Sequence, residues 1–339
     1  MMTLRRTLCI GAMAALALGG APAQAQSQAQ SQAQDYPNRA VTIVAPAAPG
    51  GLYSLFARLI GSKLEQRLGK PFIVENKPGA SSIVGALAVI RSPHDGYTLM
   101  VANTSGLATN VTLNKSLPYD PLKDFAPVAL VARVPEVLVV NAALPVQTFA
   151  DLARLAKSTP GGLSYSSAGA GTSQHLSGVV LASVLDVPLT HVPYKGMQPA
   201  IGDVAGGHIP FMFSPVPFAL PLAQAGKLRM LGVTTAERIE AIPEVAPLTE
   251  IGLREFDAVS WFMLVAPAGT PGEIVDKLHR EVRAVIGVPQ VRAEFTRLGL
   301  VPVQSAPPDE LKRFIAAEIA RWGDIVKKAG MAGSQQSGF

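Results

Sequence analysis

From Tyr36 onward the chain alternates short apolar runs with amphipathic segments, the pattern of βα units built around a largely parallel sheet. Apolar runs predict strands at Val41–Ala45, Phe72–Glu75, Tyr97–Ala102, Ala126–Ala132 and Val137–Val140. A second series follows at Leu163–Ser166, Leu189–Val192, Ile209–Phe213, Leu228–Val233 and Val259–Ala266. Between the first two runs, Leu52, Leu55, Phe56, Leu59, Ile60, Leu64 and Leu68 recur at spacings of three and four, so one stripe of a helix faces a core, and Gly69 with Pro71 ends it. Thr270-Pro271-Gly272-Glu273 has the form of a capping box with proline at the first helical position, opening a helix that buries Ile274, Leu278, Val282 and Val285. A last helix carries Leu311, Phe314, Ile315, Ile319, Trp322 and Val326.

The two strand series predict two α/β lobes, with the chain crossing between them near Val131–Val140 and again near Leu228–Thr235. Two crossings make the first lobe discontinuous: residues 36–140 and 233–331 form lobe 1, 141–232 form lobe 2, and 332–339 are a flexible tail. A ligand then sits in the cleft between lobes, at the carboxyl ends of the strands.

Hydrophobic residues make up 48% of the 339 and charged residues 16%, below the roughly 25% usual for soluble domains, so disorder from low hydrophobicity is excluded. One apolar stretch, Thr7–Ala23, is unbroken, and its core is shorter than the roughly 20 residues that span a bilayer. With Arg5 and Arg6 before it and Ala23-Gln24-Ala25 after it, the segment reads as a secretory signal peptide, residues 1–25, cleaved after Ala25. Residues 26–35 then form a disordered low-complexity spacer. Cleavage removes two arginines and no acid, which lowers the net charge from +5 to +3. It also removes Cys9, the one cysteine, which lacks the small residues that precede a lipidated cysteine. The secreted chain is thereby expected to have no disulfide, thiol catalysis or cysteine-bound metal. Its scattered lysines and arginines give no basic stripe for nucleic acid.

Enzyme signatures are missing. No serine has glycine at both −2 and +2, and none is followed by lysine at +3. The five histidines, His94, His175, His191, His208 and His279, have no metal-ligand spacing. In Gly169-Ala170-Gly171-Thr172-Ser173-Gln174, Gln174 stands where a dinucleotide fingerprint needs its third glycine. We therefore expect no catalytic residues, metal or cofactor.

What recurs is a strand that ends in a Gly/Ser/Thr loop and opens a helix: Ala45–Ser54, with Gly50, Gly51, Leu52, Tyr53 and Ser54; Asn103–Gly106, with Ser105; and Ser166–Ser173, with Gly171, Thr172 and Ser173. Such loops can aim free N–H groups, hydroxyls and a helix dipole at a carboxylate or phosphate without arginine or lysine; the same residues also serve simply as turns and caps. Tyr194-Lys195-Gly196 is a fourth candidate.

The chain resembles the periplasmic substrate-binding receptors of tripartite tricarboxylate transporters, the Bug or TctC-like family. The resemblance rests on Tyr36-Pro37 with Arg39, Pro49-Gly50-Gly51 with Ala57-Arg58, Val74–Ala80, Asp95–Leu99, the highly specific string Leu117–Val128, His191–Gly196, Trp261-Phe262 and Ala266–Pro271. It runs from Tyr36 to about Gly330. It implies a two-lobed Venus-flytrap fold, type II-like, that binds a small carboxylate and delivers it to a membrane permease, with no nucleic acid involved and the receptor acting as a periplasmic monomer. By position it implies contacts from Gly50, Gly51, Leu52, Tyr53, Ser105, Gly171, Thr172 and Ser173, with Tyr194 and Ser214 as further candidates.

The chain also departs from that pattern. Ala47 and Ala48 stand where an aromatic and a proline are common, Ser54 and Ser214 where an acid is frequent, and Ser81-Ser82-Ile83 where glycine and asparagine are usual. Fewer acids and more space imply a larger or more anionic ligand than an amino acid, an aromatic or dicarboxylic acid. Two other readings stay open, a solute sensor for a membrane kinase and a secreted hydrolase.

Overall fold

The computed structural model describes residues 35–253 and 259–335. The signal-peptide reading, the cleavage site after Ala25, Cys9 and all but the last residue of the spacer lie outside them.

Eleven strands among the described residues form two sheets. The first, in the order β11-β4-β10-β3-β1-β2, uses β1 (Val41–Ala45), β2 (Phe72–Asn76), β3 (Thr98–Asn103), β4 (Phe125–Val134), β10 (Ser260–Pro267) and β11 (Val301–Pro302). The second, in the order β7-β6-β8-β5-β9, uses β5 (Glu136–Asn141), β6 (Leu163–Ser167), β7 (Leu189–Pro193), β8 (Phe211–Pro215) and β9 (Leu228–Val233). In the first sheet β1, β2 and β3 are parallel while β10 runs against β3 and β4; in the second, β6 is parallel to β7 and β8. The parallel strands therefore bring Ala45, Asn76 and Asn103 to one edge, and Ser167, Pro193 and Pro215 to one edge of the other sheet.

The fold class is thus α/β with two sheets. Each predicted strand is present with small changes at its ends, and β11 is an addition of two residues. The first crossing falls inside the expected stretch Val131–Val140. Pro135 separates β4 from β5, and β5 hydrogen-bonds to β8 and β9, so residues 136–140 pair within the second sheet. The tail is also not free from residue 332: Gly333 N–H donates to Thr112 O, Gln335 N–H to Leu113 O, and Lys115 N–H to Gln335 O.

Helix α1 (Leu52–Leu68) buries Phe56, Ile60 and Leu64 as its stripe requires and ends at Gly69 in the left-handed region, φ 71°. Helix α2 is Ile83–Ile90; a π-helical turn at Ser105–Thr109 runs into the four-residue α3 (Asn110–Leu113). The second sheet carries α4 (Phe149–Ser158), α5 (Ser173–Leu185), α6 (Met197–Ala205) and α7 (Val216–Gln224). Then follow α8 (Gly272–Gly287), α9 (Pro289–Arg297) and α10 (Pro308–Lys328). The capping box expected for α8 does not form: Pro271 is the N-cap, and Thr270 Oγ1 donates backward to Pro267 O instead. One apolar cluster contains Met100 and Ala102 of the first sheet together with Leu138 and Val140 of the second, and includes Trp261 and Trp322. Among the described residues no helix is long and apolar enough to cross a membrane.

Candidate functional site

The carboxyl edges of β1, β2 and β3 lead into a group of turns that touch one another. Gly50, at φ 89°, reverses the chain after Pro49, and Gly51 is the N-cap of α1 with no side-chain cap. The first N–H groups of α1, at Leu52, Tyr53 and Ser54, have no partner within the helix, as at any helix start. The Tyr53 hydroxyl lies 2.9 Å from Ser82 Oγ. Ser82 closes a turn, Ala80–Ser82, in which three consecutive residues are left-handed, with φ of 43°, 51° and 80°. Non-glycine residues held in that region cost about 1–3 kcal/mol each, and such strain gathers at ligand sites. Ser81 O accepts from Asn110 Nδ2 at 2.9 Å, which ties this turn to α3 and the turn carrying Ser105. Asn103 Oδ1 accepts from Gly106 N–H. Ser105 opens the π-helical turn, which continues without a break into α3, so one helical run from Ser105 to Leu113 stands behind it.

Ser54 does not face the cleft. It is buried, and its Oγ accepts from Asn76 Nδ2 at 2.7 Å; the same amide donates to Ala47 O at 2.8 Å, so Asn76 clamps the first loop from below. Ser214 is fully buried and donates to Pro215 O. The two positions where an acid is frequent are therefore interior positions, filled here by hydrogen-bonded serines.

On the second sheet the loop Ser167–Ser173 folds tightly on itself. Gly171, at φ 79°, gives its N–H to His175 Nδ1 at 3.0 Å. Thr172 caps α5: its Oγ1 accepts from His175 N–H and donates to Gly169 O, and its own N–H also turns back to Gly169 O. Ser173 Oγ donates to Glu136 Oε1 at 2.5 Å. The expected polar groups of Gly171, Thr172 and Ser173 are thus committed within the protein, and what remains is the start of α5 itself, whose first N–H groups have no partner within the helix. Tyr194 lies beside this loop, its N–H on Ser167 O, but its hydroxyl donates to Asp203 of α6, and that bond pushes the phenol's ionisation up to about 12. The two sides meet at Gln335, whose Nε2 donates to Ala170 O while its backbone pairs with Leu113 and Lys115.

Glu136 was not foreseen. It is the first residue of β5, fully buried, and Oε1 also accepts from Gln174 Nε2 at 2.6 Å while Oε2 accepts from Ser177 Oγ at 3.2 Å. All three donors stand on the first turns of α5, whose positive end favours the carboxylate. Burial without a cation pushes its pKa up to about 7, against the lowering by the three donors. A single acid inside an otherwise apolar run, Val134–Val140, was the signal available in the sequence.

Among the described residues no group of three or more histidines, cysteines or acids could hold a metal. Two cavities, of 590 Å³ beside Arg280 and Arg283 and of 490 Å³ between Arg133, Arg238 and Arg292, contain none of the residues above.

The profile described as "Tripartite tricarboxylate transporter family receptor" matches residues 56–331. Protein BugT of Bordetella pertussis is 34% identical over 296 residues, covering 87% of this chain and 90% of BugT. Among solved structures, Rpa4515 of R. palustris with adipate superposes with a TM-score of 0.84 at 37% identity, covering 88% of this chain and 99% of that one. MatC (Rpa3494) of Rhodopseudomonas palustris with bound malate gives 0.79 at 34% identity, covering 86% and 100%. The periplasmic binding protein BugD gives 0.81 at 30% identity, covering 88% and 99%.

Proposed function

The chain belongs to the tripartite tricarboxylate transporter receptor family, and on that premise we propose that it is a periplasmic receptor that binds a small dicarboxylic or aromatic carboxylic acid between its lobes and hands it to a membrane permease. What supports this reading is a pair of helix starts that follow the carboxyl ends of parallel strands, Gly51–Tyr53 with no side-chain cap and Ser173–Gln174 behind the Thr172 cap. Such ends bind anions through N–H groups and dipoles without a cationic side chain. Structures 37% and 34% identical to this chain hold adipate and malate, both dicarboxylates, which supports the ligand class.

Ligand contacts come from the backbone of Gly50–Tyr53, from the Tyr53 and Ser82 hydroxyls, from Ser105 and from the start of α5. No chemistry is performed on the ligand, the receptor acts as a monomer, and the N-terminal segment directs secretion. Thermal unfolding in the presence of adipate, malate, an aromatic monocarboxylate and aspartate tests the reading. A ligand at 100 times its Kd adds about 2.7 kcal/mol of stability, an upward Tm shift of several degrees. A shift with aspartate alone, or with none of the acids, refutes it.

A further inference from the structure

Glu136 stands where three things meet. Its residue follows Pro135, the point at which the chain leaves the first sheet for the second. Its backbone is fastened to Thr234, just past β9, on the return crossing: Glu136 N–H donates to Thr234 Oγ1 at 3.1 Å, and Thr234 N–H donates to Glu136 O at 2.9 Å. Its carboxylate takes the side chains of Ser173, Gln174 and Ser177 from the start of α5. A backbone strap across both crossings and a helix aimed at the cleft are thus fixed by one residue.

The groups facing this carboxylate are neutral. Ser173, Gln174 and Ser177 come from α5, Pro215 is its neighbour on β8, and Thr234 flanks its backbone. The titratable side chains nearby on α5 and β7, His175 and His191, stay uncharged above about pH 4. Among the described residues no cation acts on the Glu136 carboxylate.

We propose that Glu136 is a positioning residue: it locks the ligand-facing start of α5 to the interlobe crossings, and its own charge opposes that of an anionic ligand arriving there, so that binding draws a proton onto it. The second half of the proposal rests on the carboxylate-receptor reading; the first half does not.

Two measurements on the full chain, in a Cys9→Ser background, test it. The first needs no ligand. Spin labels at Gln66→Cys in α1 and Lys157→Cys in α4, both exposed positions, report the separation of the sheets by double electron–electron resonance. Glu136→Gln keeps the wild-type distance distribution, whereas Glu136→Ala, which removes the acceptor, broadens it; should that variant not fold, the double variant Ser173→Ala/Ser177→Ala is expected to broaden it likewise.

The second is the Kd for adipate, and for malate, at pH 6 and pH 8, on either side of the Glu136 value of about 7. Wild-type binding weakens about tenfold toward pH 8 as Glu136 ionises, while Glu136→Gln changes by less than about twofold. An unbroadened distribution in the alanine or double-serine variant overturns the positioning role, and an equal pH slope in wild type and Glu136→Gln overturns the charge opposition. If neither acid binds wild type, the reading of the ligand fails while the spin-label measurement still decides the positioning role.

Discussion

His175 and His191 stack face to face beneath the start of α5, their ring centroids 3.7 Å apart and their planes 10° from parallel. His175 Nδ1 accepts the Gly171 N–H, so its proton is on Nε2, and His191 Nε2 lies 2.7 Å from Ser167 Oγ. Charging both rings would set two like charges 3.7 Å apart, so the stack favours neutral imidazoles. Burial lowers both to about 4, with His175 adding to the shift of His191.

The pair and Glu136 act in opposite directions on stability. Between about pH 4 and the unfolded histidine value of 6.5, the unfolded chain binds the histidine protons that the folded chain refuses, so stability falls as pH drops through this window. Glu136 is raised, so its contribution is full below 4.5 and is lost as pH rises toward about 7. In the shared window the wild-type chain balances two histidine protons against one glutamate proton. Scanning calorimetry from pH 4.5 to 6.5 should therefore show a Tm that falls with acid, more steeply in Glu136→Gln and less steeply in His191→Gln.

Gly171→Ala tests the loop itself. At φ 79° a side chain costs about 1–2 kcal/mol in strain. Its Cβ would sit 2.6 Å from Leu113 Cδ1 and 2.8 Å from Gln335 Nε2, flexible side-chain ends that can withdraw. We expect a loss of about 1–2 kcal/mol in urea unfolding and a weakened carboxylate affinity, because Gln335 must leave Ala170. Gly178→Ala, on α5, is the control: its Cβ would fall 2.0 Å from the buried Tyr165 ring. That collision should cost about 3 kcal/mol or more, with Tyr165 unable to move aside.

The strand runs were legible because fully buried strands are continuous apolar stretches, and β10, buried along all eight residues, is the plainest. Val301–Pro302 was illegible because two residues carry no period, and α9 because Pro289 follows α8 after a single residue, so the two helices read as one weakening pattern. Hydroxyls at helix starts were assigned to the cleft, yet a serine there can face either way; Ser54 and Ser173 face inward, drawn by Asn76 and Glu136, partners distant in sequence. The left-handed run Ala80–Ser82 was hidden because none of its residues is a glycine.

That run should be coupled energetically to the Tyr53 hydroxyl. In a double-mutant cycle of Tyr53→Phe and Ser82→Ala, the hydrogen bond between them accounts for about 1 kcal/mol of interaction energy. If the contact holds the strained turn at the site, both single variants weaken carboxylate binding by similar factors and the double variant adds little more. Additive losses would show that the two hydroxyls act on the ligand independently.

Glu318 supports the site from the opposite side. Its Oε2 accepts from Trp261 Nε1 at 2.6 Å and from Trp322 Nε1 at 3.0 Å, while Arg321 binds both of its oxygens. Burial opposes the charge, but Arg321 and the two indoles outweigh it and hold the carboxyl below its usual range. Trp261 N–H in turn donates to Thr104 Oγ1, one residue before Ser105. Replacing Glu318 with alanine leaves two buried indole N–H groups without an acceptor and should cost about 3 kcal/mol; glutamine keeps an acceptor and should cost less. Because these are the chain's two tryptophans, intrinsic fluorescence reads both contacts directly. The lowered carboxyl contributes stability above about pH 4.5 that is lost as pH falls, so the wild-type emission should change on acidification below that value, while Glu318→Gln shows a shifted emission at neutral pH and no further acid transition of this kind.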